Sequence, residues 1–224
     1  MPTLVSADRK RTEPFGSLRY GGAILVAMPR DASDTRRRIL AAAVEEFANF
    51  GIAGARVERI ASRASANKRA LYEQFGDKTT LFTIVLASEL EKLANAVELR
   101  PDNVAEYVGD LFDYCAGHPW LVRLVQWEAL WFAPRQAPNF AQRASGYAKK
   151  VEAVAAAQRA GHINDELPAE RVLMLLIGLA EWTIYVPQLA EMILGDNPAA
   201  AEQRARHRAF LVAAAHQLLA VERR

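Results

Sequence analysis

Two short apolar stripes that follow each other closely constrain the fold of this chain more than any other feature. Four apolar residues form the first stripe, at the spacing of about two helical turns: Val57, Ile60, Ala61 and Ala64. The second stripe has Leu71 and Phe75 four residues apart, behind Asn67, which favours the amino-terminal cap of a helix. Because only Ser65 and Ala66 separate the stripes, they predict two short helices joined by a tight turn.

A longer amphipathic segment precedes this pair. From Thr35 onward, four apolar residues recur at helical spacing: Leu40, Ala43, Val44 and Phe47. Charged residues occupy the predicted outer side: Arg36, Arg37, Arg38, Glu45 and Glu46. Ser33 or Asp34 can cap the start, and Gly51 can end the helix. The three segments together predict a helix-turn-helix, whose second short helix enters a major groove of DNA.

The charge distribution favours a polyanion as the partner of this region. Residues 1–82 contain 14 Lys and Arg against 9 Asp and Glu, a balance of +5, whereas residues 83–224 contain 14 against 17, a balance of −3. A basic region followed by a mildly acidic one is typical of a nucleic-acid-binding module joined to a part that does not bind DNA. A single cysteine excludes an intramolecular disulfide and favours the cytoplasm.

Residues 35–82 resemble the DNA-binding domain of TetR-type bacterial transcriptional regulators. The resemblance rests on these residues: Arg38, Ile39, Leu40, Phe47, Gly51, Ile60, Ala61, Leu71, Tyr72, Phe75, Lys78, Leu81 and Phe82. It implies an all-α fold, with a helix-turn-helix DNA-binding domain at 31–82 and a helical ligand-binding and dimerisation domain at 83–224. Residues 1–30 mix proline, glycine and a six-residue apolar run too short for an export signal, so we expect a disordered extension and a biological start at Met28.

Three residues depart from the pattern of the family. Ser65 stands in the turn where glycine is usual, and a positive φ at a non-glycine residue costs about 1–2 kcal/mol. Arg56 stands where a threonine or serine commonly caps the second helix, so it can keep a phosphate contact while losing the cap. Arg69 replaces a small residue on the side that faces the groove.

The side chains of the third helix are the predicted DNA-binding residues. Arginine can pair two-fold with guanine and asparagine with adenine, so Arg69 and Asn67 are the expected base readers, although Asn67 also suits a helix cap. Lys68 can reach either a base or a phosphate. The resemblance places Tyr72 and Lys78 against the DNA backbone. With Arg56, these residues complete the predicted DNA-binding set.

Five or six further helices are predicted beyond Phe82. The fourth helix, at about Asp77–Leu99, would connect the DNA-binding region to the remainder. The segment Val172–Leu189 is almost wholly apolar, but Glu181 and Pro187 favour a buried helix over a membrane span. In the last helix, near Ala199–Val221, four residues form an apolar stripe: Phe210, Ala214, Leu218 and Val221. By resemblance, these last two helices form the interface of a homodimer that binds a pseudopalindromic operator.

The middle helices are rich in aromatic residues, which suit an apolar or aromatic small-molecule effector whose identity the sequence does not give. The predicted ligand contacts are Phe112, Trp127, Trp131, Tyr147, Trp182 and Tyr185. Polar groups in these helices are few: Gln126, Glu128 and Glu181.

No catalytic or metal-binding motif occurs in the sequence, so we expect neither an enzyme nor a cofactor. Cys115 and His118 are close enough for an activated thiol, although packing is the simpler interpretation. The function predicted is that of a ligand-responsive DNA-binding regulator that acts as a repressor. Two alternatives remain open: a small-molecule carrier or sensor of the same fold without specific DNA binding, and a helical enzyme that uses the aromatic cavity.

Overall fold

The chain folds into α-helices, and a computed structural model describes residues 18–20, 23–25, 30–195 and 201–221. A small antiparallel ladder joins β1 (Leu18–Tyr20) and β2 (Ala23–Leu25). The helices in the described residues are α1 (Arg30–Gly54), α2 (Val57–Arg63), α3 (Lys68–Phe75), α4 (Lys78–Ala96), α5 (Glu106–Gly117), α6 (Pro119–Trp131), α7 (Phe140–Arg159), α8 (Ala169–Tyr185), α9 (Pro187–Leu194) and α10 (Ala201–Leu219). Most of the predicted extension at 1–30, with Met28, lies outside the described residues.

The first helix starts earlier than its sequence predicts. It begins at Arg30, so Ser33 and Asp34 lie inside it and do not cap it. No proline or glycine separates Arg30 from Thr35, and Asp34 instead accepts a hydrogen bond of 2.9 Å from Arg37, three residues on. The predicted stop is correct in position: Gly51 leaves the helical conformation with φ +63°, and the chain turns there.

The amino-terminal core forms around α1 and α4. Phe47 and Phe82 are fully buried and meet edge to face with ring centroids 5.3 Å apart. The apolar residues of α2 and α3 complete this cluster, which also takes in Leu124 of α6. A second cluster joins α5, α7, α8 and α10. Because α6 packs on α1 and α4 also reaches the second half of the chain, these two helices connect the two cores.

The long apolar segment predicted as one helix is two. The chain bends by 85° between α8 and α9, because Pro187 cannot continue the hydrogen-bond ladder of α8. The fourth helix is likewise shorter than predicted, ending at Ala96 because Val97 is extended. Among the described residues, no single helix is long and apolar enough to span a membrane, and one bent pair, α8 with α9, passes that test by length and composition.

Candidate DNA-binding surface and effector cavity

The third helix has one buried face and one exposed face. Leu71 and Phe75 are buried against the amino-terminal core, four residues apart as the sequence predicts. The opposite side presents Lys68, Arg69 and Tyr72 to solvent. The structure therefore brings three of the predicted DNA-binding residues together on one exposed face of a short helix.

Asn67 caps this helix. Its side-chain oxygen accepts a hydrogen bond of 2.6 Å from the backbone N–H of Ala70, and its own backbone is extended, as a cap requires. A two-fold contact with adenine needs the same oxygen. The cap and the predicted base contact therefore compete for one atom.

Both cations of the exposed face have a carboxylate partner within the protein. Lys68 Nζ donates a hydrogen bond to Glu58 of α2, and Arg69 Nε donates one of 2.6 Å to Glu73 on the next turn of α3. The pairing with Lys68 holds the pKa of the Glu58 carboxyl below its usual range. These pairs keep the cations ordered near the surface of the helix-turn-helix.

The turn between α2 and α3 keeps its glycine-like geometry without glycine. Ser65 has φ +49°, so the turn is not altered by the departure from the family pattern. Two backbone hydrogen bonds close it: Ser65 N donates to Ser62 O at 3.1 Å, and Ala66 N donates to Ala61 O at 2.9 Å. Arg38 of α1 adds a third, from Nε to Ala64 O at 3.1 Å. These contacts hold the strained residue in place.

Glu46 supplies a hydrogen bond at the start of α2, where the Arg56 side chain provides no cap. Arg56 begins α2 without a side-chain cap, as predicted, and its side chain is exposed. Its backbone N–H donates a hydrogen bond of 2.8 Å to Oε1 of Glu46. The same oxygen accepts a second hydrogen bond of 2.8 Å from Arg59 Nε. Arg63 lies 3.7 Å from the second carboxylate oxygen. The carboxylate of α1 thus fixes the start of α2 from the side.

Glu46 was wrongly predicted to lie on the outer side of α1, since it is 0% exposed. Burial alone would raise its pKa, but the hydrogen bonds from the Arg59 side chain and the Arg56 backbone, with the charges of Arg59 and Arg63, outweigh burial and hold the pKa below its usual range. Its place between Ala43 and Phe47 on the apolar side was the available signal in the sequence.

Lys78, the last predicted DNA-binding residue, is placed at the junction of α1 and α4. Its Nζ donates to two carbonyl oxygens that follow the turn at Gly51, Ala53 O at 3.2 Å and Ala55 O at 3.1 Å. Asp77 caps α4 beside it, accepting 2.7 Å from Thr80 N. Lys78 therefore ties the start of α4 to the end of α1.

A cavity of about 570 Å³ lies between α4, α5, α7 and α8. Its apolar wall comes mainly from α4 and α5, including Leu86, Leu90 and Leu111. Polar groups of α7 and α8 also line it, among them Arg143, Tyr147, Lys150 and Glu181, and α4 adds Thr83 and Glu91. The cavity is large enough for a small organic molecule.

Several of these polar groups are already held in place. Arg143 donates hydrogen bonds to the buried Glu128 from both terminal nitrogens, Nη1 and Nη2, and the bond from Nη2 is 3.1 Å long. Lys150 Nζ donates a hydrogen bond of 3.3 Å to Val97 O and lies 4.9 Å from the ring centre of Tyr107. Burial raises the pKa of Glu181 and lowers that of Lys150. The cavity therefore combines ordered hydrogen-bonding groups of α7 and α8 with apolar side chains of α4 and α5.

Of the six predicted ligand contacts, Tyr147 lines this cavity and the other five lie elsewhere. Phe112 is buried against His207, with ring centroids 5.3 Å apart. Trp127 packs on α1, and Trp131 and Trp182 are exposed on α6 and α8. Tyr185 packs against the second core, and its backbone oxygen accepts a hydrogen bond of 2.8 Å from Gln126 Nε2. Aromatic content indicated α5, α7 and α8, which line the cavity, but it also indicated α6, which does not, and it missed α4.

The interpretation of Cys115 and His118 as an activated thiol is wrong. Cys115 is buried, and burial beside Glu181 raises the pKa of its thiol to about 12, so the reactive thiolate is scarce at neutral pH. His118 does not face it, since its ring stacks on Tyr114 with centroids 4.0 Å apart. Across the described residues, no group of three or more metal-ligating side chains comes together.

An apolar surface runs along the outer faces of α8 and α10. On α8 it includes Met174, which is 67% exposed, and Trp182, which is 58% exposed. On α10 it includes Phe210 and Leu218, while Leu211 and Leu219 turn inward to the second core. Exposed apolar side chains clustered on two helices are typical of a protein–protein interface.

Comparisons with known proteins agree with this arrangement. Residues 39–84 match the family of bacterial regulatory proteins, tetR family, and residues 103–217 match the tetracyclin repressor-like, C-terminal domain. The chain is 42% identical over 170 residues to the HTH-type transcriptional repressor SCO4008 of Streptomyces coelicolor, which covers 76% of this chain and 88% of that protein.

Solved structures show the same fold. The crystal structure of the transcriptional regulator SCO4942 from Streptomyces coelicolor matches with a TM-score of 0.72 and 35% identity, covering 83% of this chain and 98% of the other. FadR from Bacillus subtilis, solved in complex with stearoyl-CoA, matches with a TM-score of 0.62 at 16% identity, over 84% of this chain and all of the other. The family consists of transcriptional regulators and not of enzymes. This chain belongs to the TetR family of helix-turn-helix transcriptional regulators.

Proposed function

We propose that the protein is a homodimeric repressor that binds a pseudopalindromic operator and releases it when a small, largely apolar effector occupies the cavity. The observation that carries the DNA-binding part is the exposed cationic face of α3, set on a capped helix in a closed turn. The similarity to a repressor over most of both chains supports the direction of regulation.

Arg69 is the proposed base reader, because its guanidinium is the most exposed cation of α3, at 88%. Lys68, Tyr72 and Arg56 are the proposed backbone contacts at the same surface. Asn67 is proposed to act first as the cap. Lys78 is proposed to bring positive charge toward a phosphate from the start of α4.

The proposed dimer interface is the apolar surface of α8 and α10. Trp182 is thereby reassigned from the effector to the partner subunit, because it does not line the cavity and is exposed on this surface. Two-fold symmetry through these helices would present two copies of α3 to one side of a duplex, about 34–36 Å apart.

The proposed effector site is the cavity beside α4. Leu86 lines the cavity and belongs to the amino-terminal core, so a molecule that displaces it acts on both halves of the chain. A ligand that binds the DNA-incompatible arrangement more tightly shifts the population from the operator, and ligand and DNA must weaken each other equally. The FadR neighbour was solved with stearoyl-CoA, a molecule with a long apolar chain.

Selection of bound fragments from random duplexes tests the proposal. The expected site is a pseudopalindrome with half-sites about one helical turn apart. With that site, Arg69→Ala is expected to relax preference at one base pair of each half, while Lys78→Ala weakens binding to all sequences and flattens the salt dependence. Recovery of unrelated fragments without symmetry would instead favour the carrier or sensor of the same fold.

A further inference from the structure

We propose that Glu73 is a specificity-determining residue that orients Arg69 for base reading, an inference that rests on the DNA-binding role proposed above. Glu73 and Arg69 lie four residues apart on the exposed face of α3. The contact is between Arg69 Nε and Glu73 Oε1, at 2.6 Å. Arg69 belongs to the DNA-binding set predicted from the sequence, and Glu73 does not.

The contact engages Nε of Arg69 and leaves the two terminal nitrogens of the guanidinium available for a base. Among the described residues, no hydrogen bond engages Nη1 or Nη2 of Arg69. These two nitrogens carry the parallel donors that match O6 and N7 of guanine. A carboxylate on Nε therefore fixes the plane and direction of the side chain without occupying the donors that would read the base.

Orientation matters because a free arginine side chain loses rotamer freedom when it binds. Ordering such a side chain costs affinity, and a partner that orders it beforehand removes part of that cost. Arg69 has little other support, because it is 88% exposed and Asn67 and Leu71 beside it are used by the cap and the core. Glu73 is the neighbour that holds the Arg69 side chain in one orientation.

Glu73 is otherwise unfavourable where it stands. A carboxylate in the last turns of a helix opposes the helix dipole, and a negative charge on a DNA-facing surface repels phosphates. Removing it should therefore not weaken the helix, and should improve binding to DNA in general. A loss of selectivity together with a gain in general affinity is a result that a purely structural role would not give.

Glu58 provides a matched control. It is also an exposed carboxylate on the helix-turn-helix, and it also holds a cation of α3, but that cation is Lys68, a point charge without a two-fold donor edge. Glu58→Gln removes the same charge from the same surface while leaving Arg69 and Glu73 intact. It separates the effect of charge from the effect of orientation.

The experiment measures the affinity of the full-length protein for three duplexes: the selected site, the same site changed at the base pair to which Arg69→Ala loses preference, and a random sequence. We expect Glu73→Gln to lower the ratio between the first two affinities by about 3- to 10-fold and to raise affinity for the third. Glu58→Gln should raise affinity for all three without changing the ratio. Arg69→Ala combined with Glu73→Gln should lose no more selectivity than Arg69→Ala.

Two outcomes would overturn these assignments separately. If Arg69→Ala changes the ratio but Glu73→Gln does not, the orienting role of Glu73 is wrong while the base contact of Arg69 stands. If Arg69→Ala leaves every base preference unchanged, the base contact proposed for Arg69 is wrong, and the role of Glu73 falls with it. Circular dichroism of each variant checks that α3 is intact.

Discussion

The indole of Trp127 lies directly on Gly51, so that a methyl group at this glycine would come within 2.7 Å of the ring. The same indole donates its N–H to Ala48 O at 3.3 Å. Gly51 is the residue where α1 turns, with φ +63°. One aromatic side chain of α6 is therefore seated on the bend of the helix that supports α2 and α3.

Gly51→Ala should destabilise the protein by about 2–4 kcal/mol, because it adds both a positive-φ penalty and a steric clash with Trp127. Chemical unfolding in urea measures the change in the free energy of unfolding. Gly54→Ala is the matched control: it lies on the next turn, and its added carbon would meet only the Cβ of Phe50, at 3.3 Å.

The double variant with Trp127→Ala separates the two costs. Without the ring, Gly51→Ala should cost only the backbone term, about 1–2 kcal/mol. An equal cost of Gly51→Ala with and without Trp127 would show that the indole does not constrain the bend.

Glu46→Gln should lower the free energy of unfolding by about 2–3 kcal/mol at pH 7, because it weakens two charge-assisted hydrogen bonds at a buried position. Glu45→Gln is the control, since Glu45 is exposed and lies 3.6 Å from Arg63. An exposed pair of this kind contributes about 0–1 kcal/mol.

The cost of Glu46→Gln should depend on pH. The pKa of Glu46 is lower in the folded protein than its usual 4.5, so the unfolded chain binds this proton more readily. Its ionised contacts therefore stabilise the protein fully above about pH 4.5 and are lost as the pH falls through the folded pKa. The difference between the wild type and Glu46→Gln should shrink over that acidic range. A difference independent of pH between 7 and 3 would contradict the assignment.

The local pattern of the sequence predicted the helix-turn-helix well. The spacing of Leu71 and Phe75, the cap at Asn67 and the stop at Gly51 are all encoded within a few residues, and the structure confirms each. The break at Pro187 was equally local, but the continuous apolar run hid it. Elements whose causes lie within one or two turns can be found from periodicity and cap residues.

The features that depend on packing between helices could not be found in this way. Glu46 contacts Arg56 ten residues away, across the angle between α1 and α2. The cavity needs the faces of α4 and α7 to stand apart, and sequence spacing does not set the distance between two helices. Aromatic residues were therefore assigned to a ligand, whereas Phe112 fills the core and Trp127 joins the two halves.

Ser65→Gly should stabilise the protein by about 0.5–1 kcal/mol. The substitution relieves a strain of about 1–2 kcal/mol at φ +49°, and it loses part of that gain because glycine makes the unfolded chain more flexible. Ser65→Ala should change stability little, and Ser65→Val should destabilise, since a β-branched residue tolerates positive φ poorly. Thermal unfolding of the three variants should therefore rank Gly above Ala and Ala above Val, and the reverse order would show that the turn is not held at positive φ in solution.

Cys115 should react slowly with thiol reagents in the native protein. Its side chain is buried, so reagents reach the thiol poorly, and its pKa is about 12, so the thiolate is scarce at pH 8. In urea the same thiol should react at the rate of an ordinary exposed cysteine, which gives an internal control on reagent and protein. Because Cys115 Sγ lies 3.9 Å from Oε1 of Glu181, which lines the cavity, a molecule that fills the cavity and orders its walls should slow the native reaction further. Fast labelling of the native protein at pH 8 would show that the region around Cys115 opens to solvent.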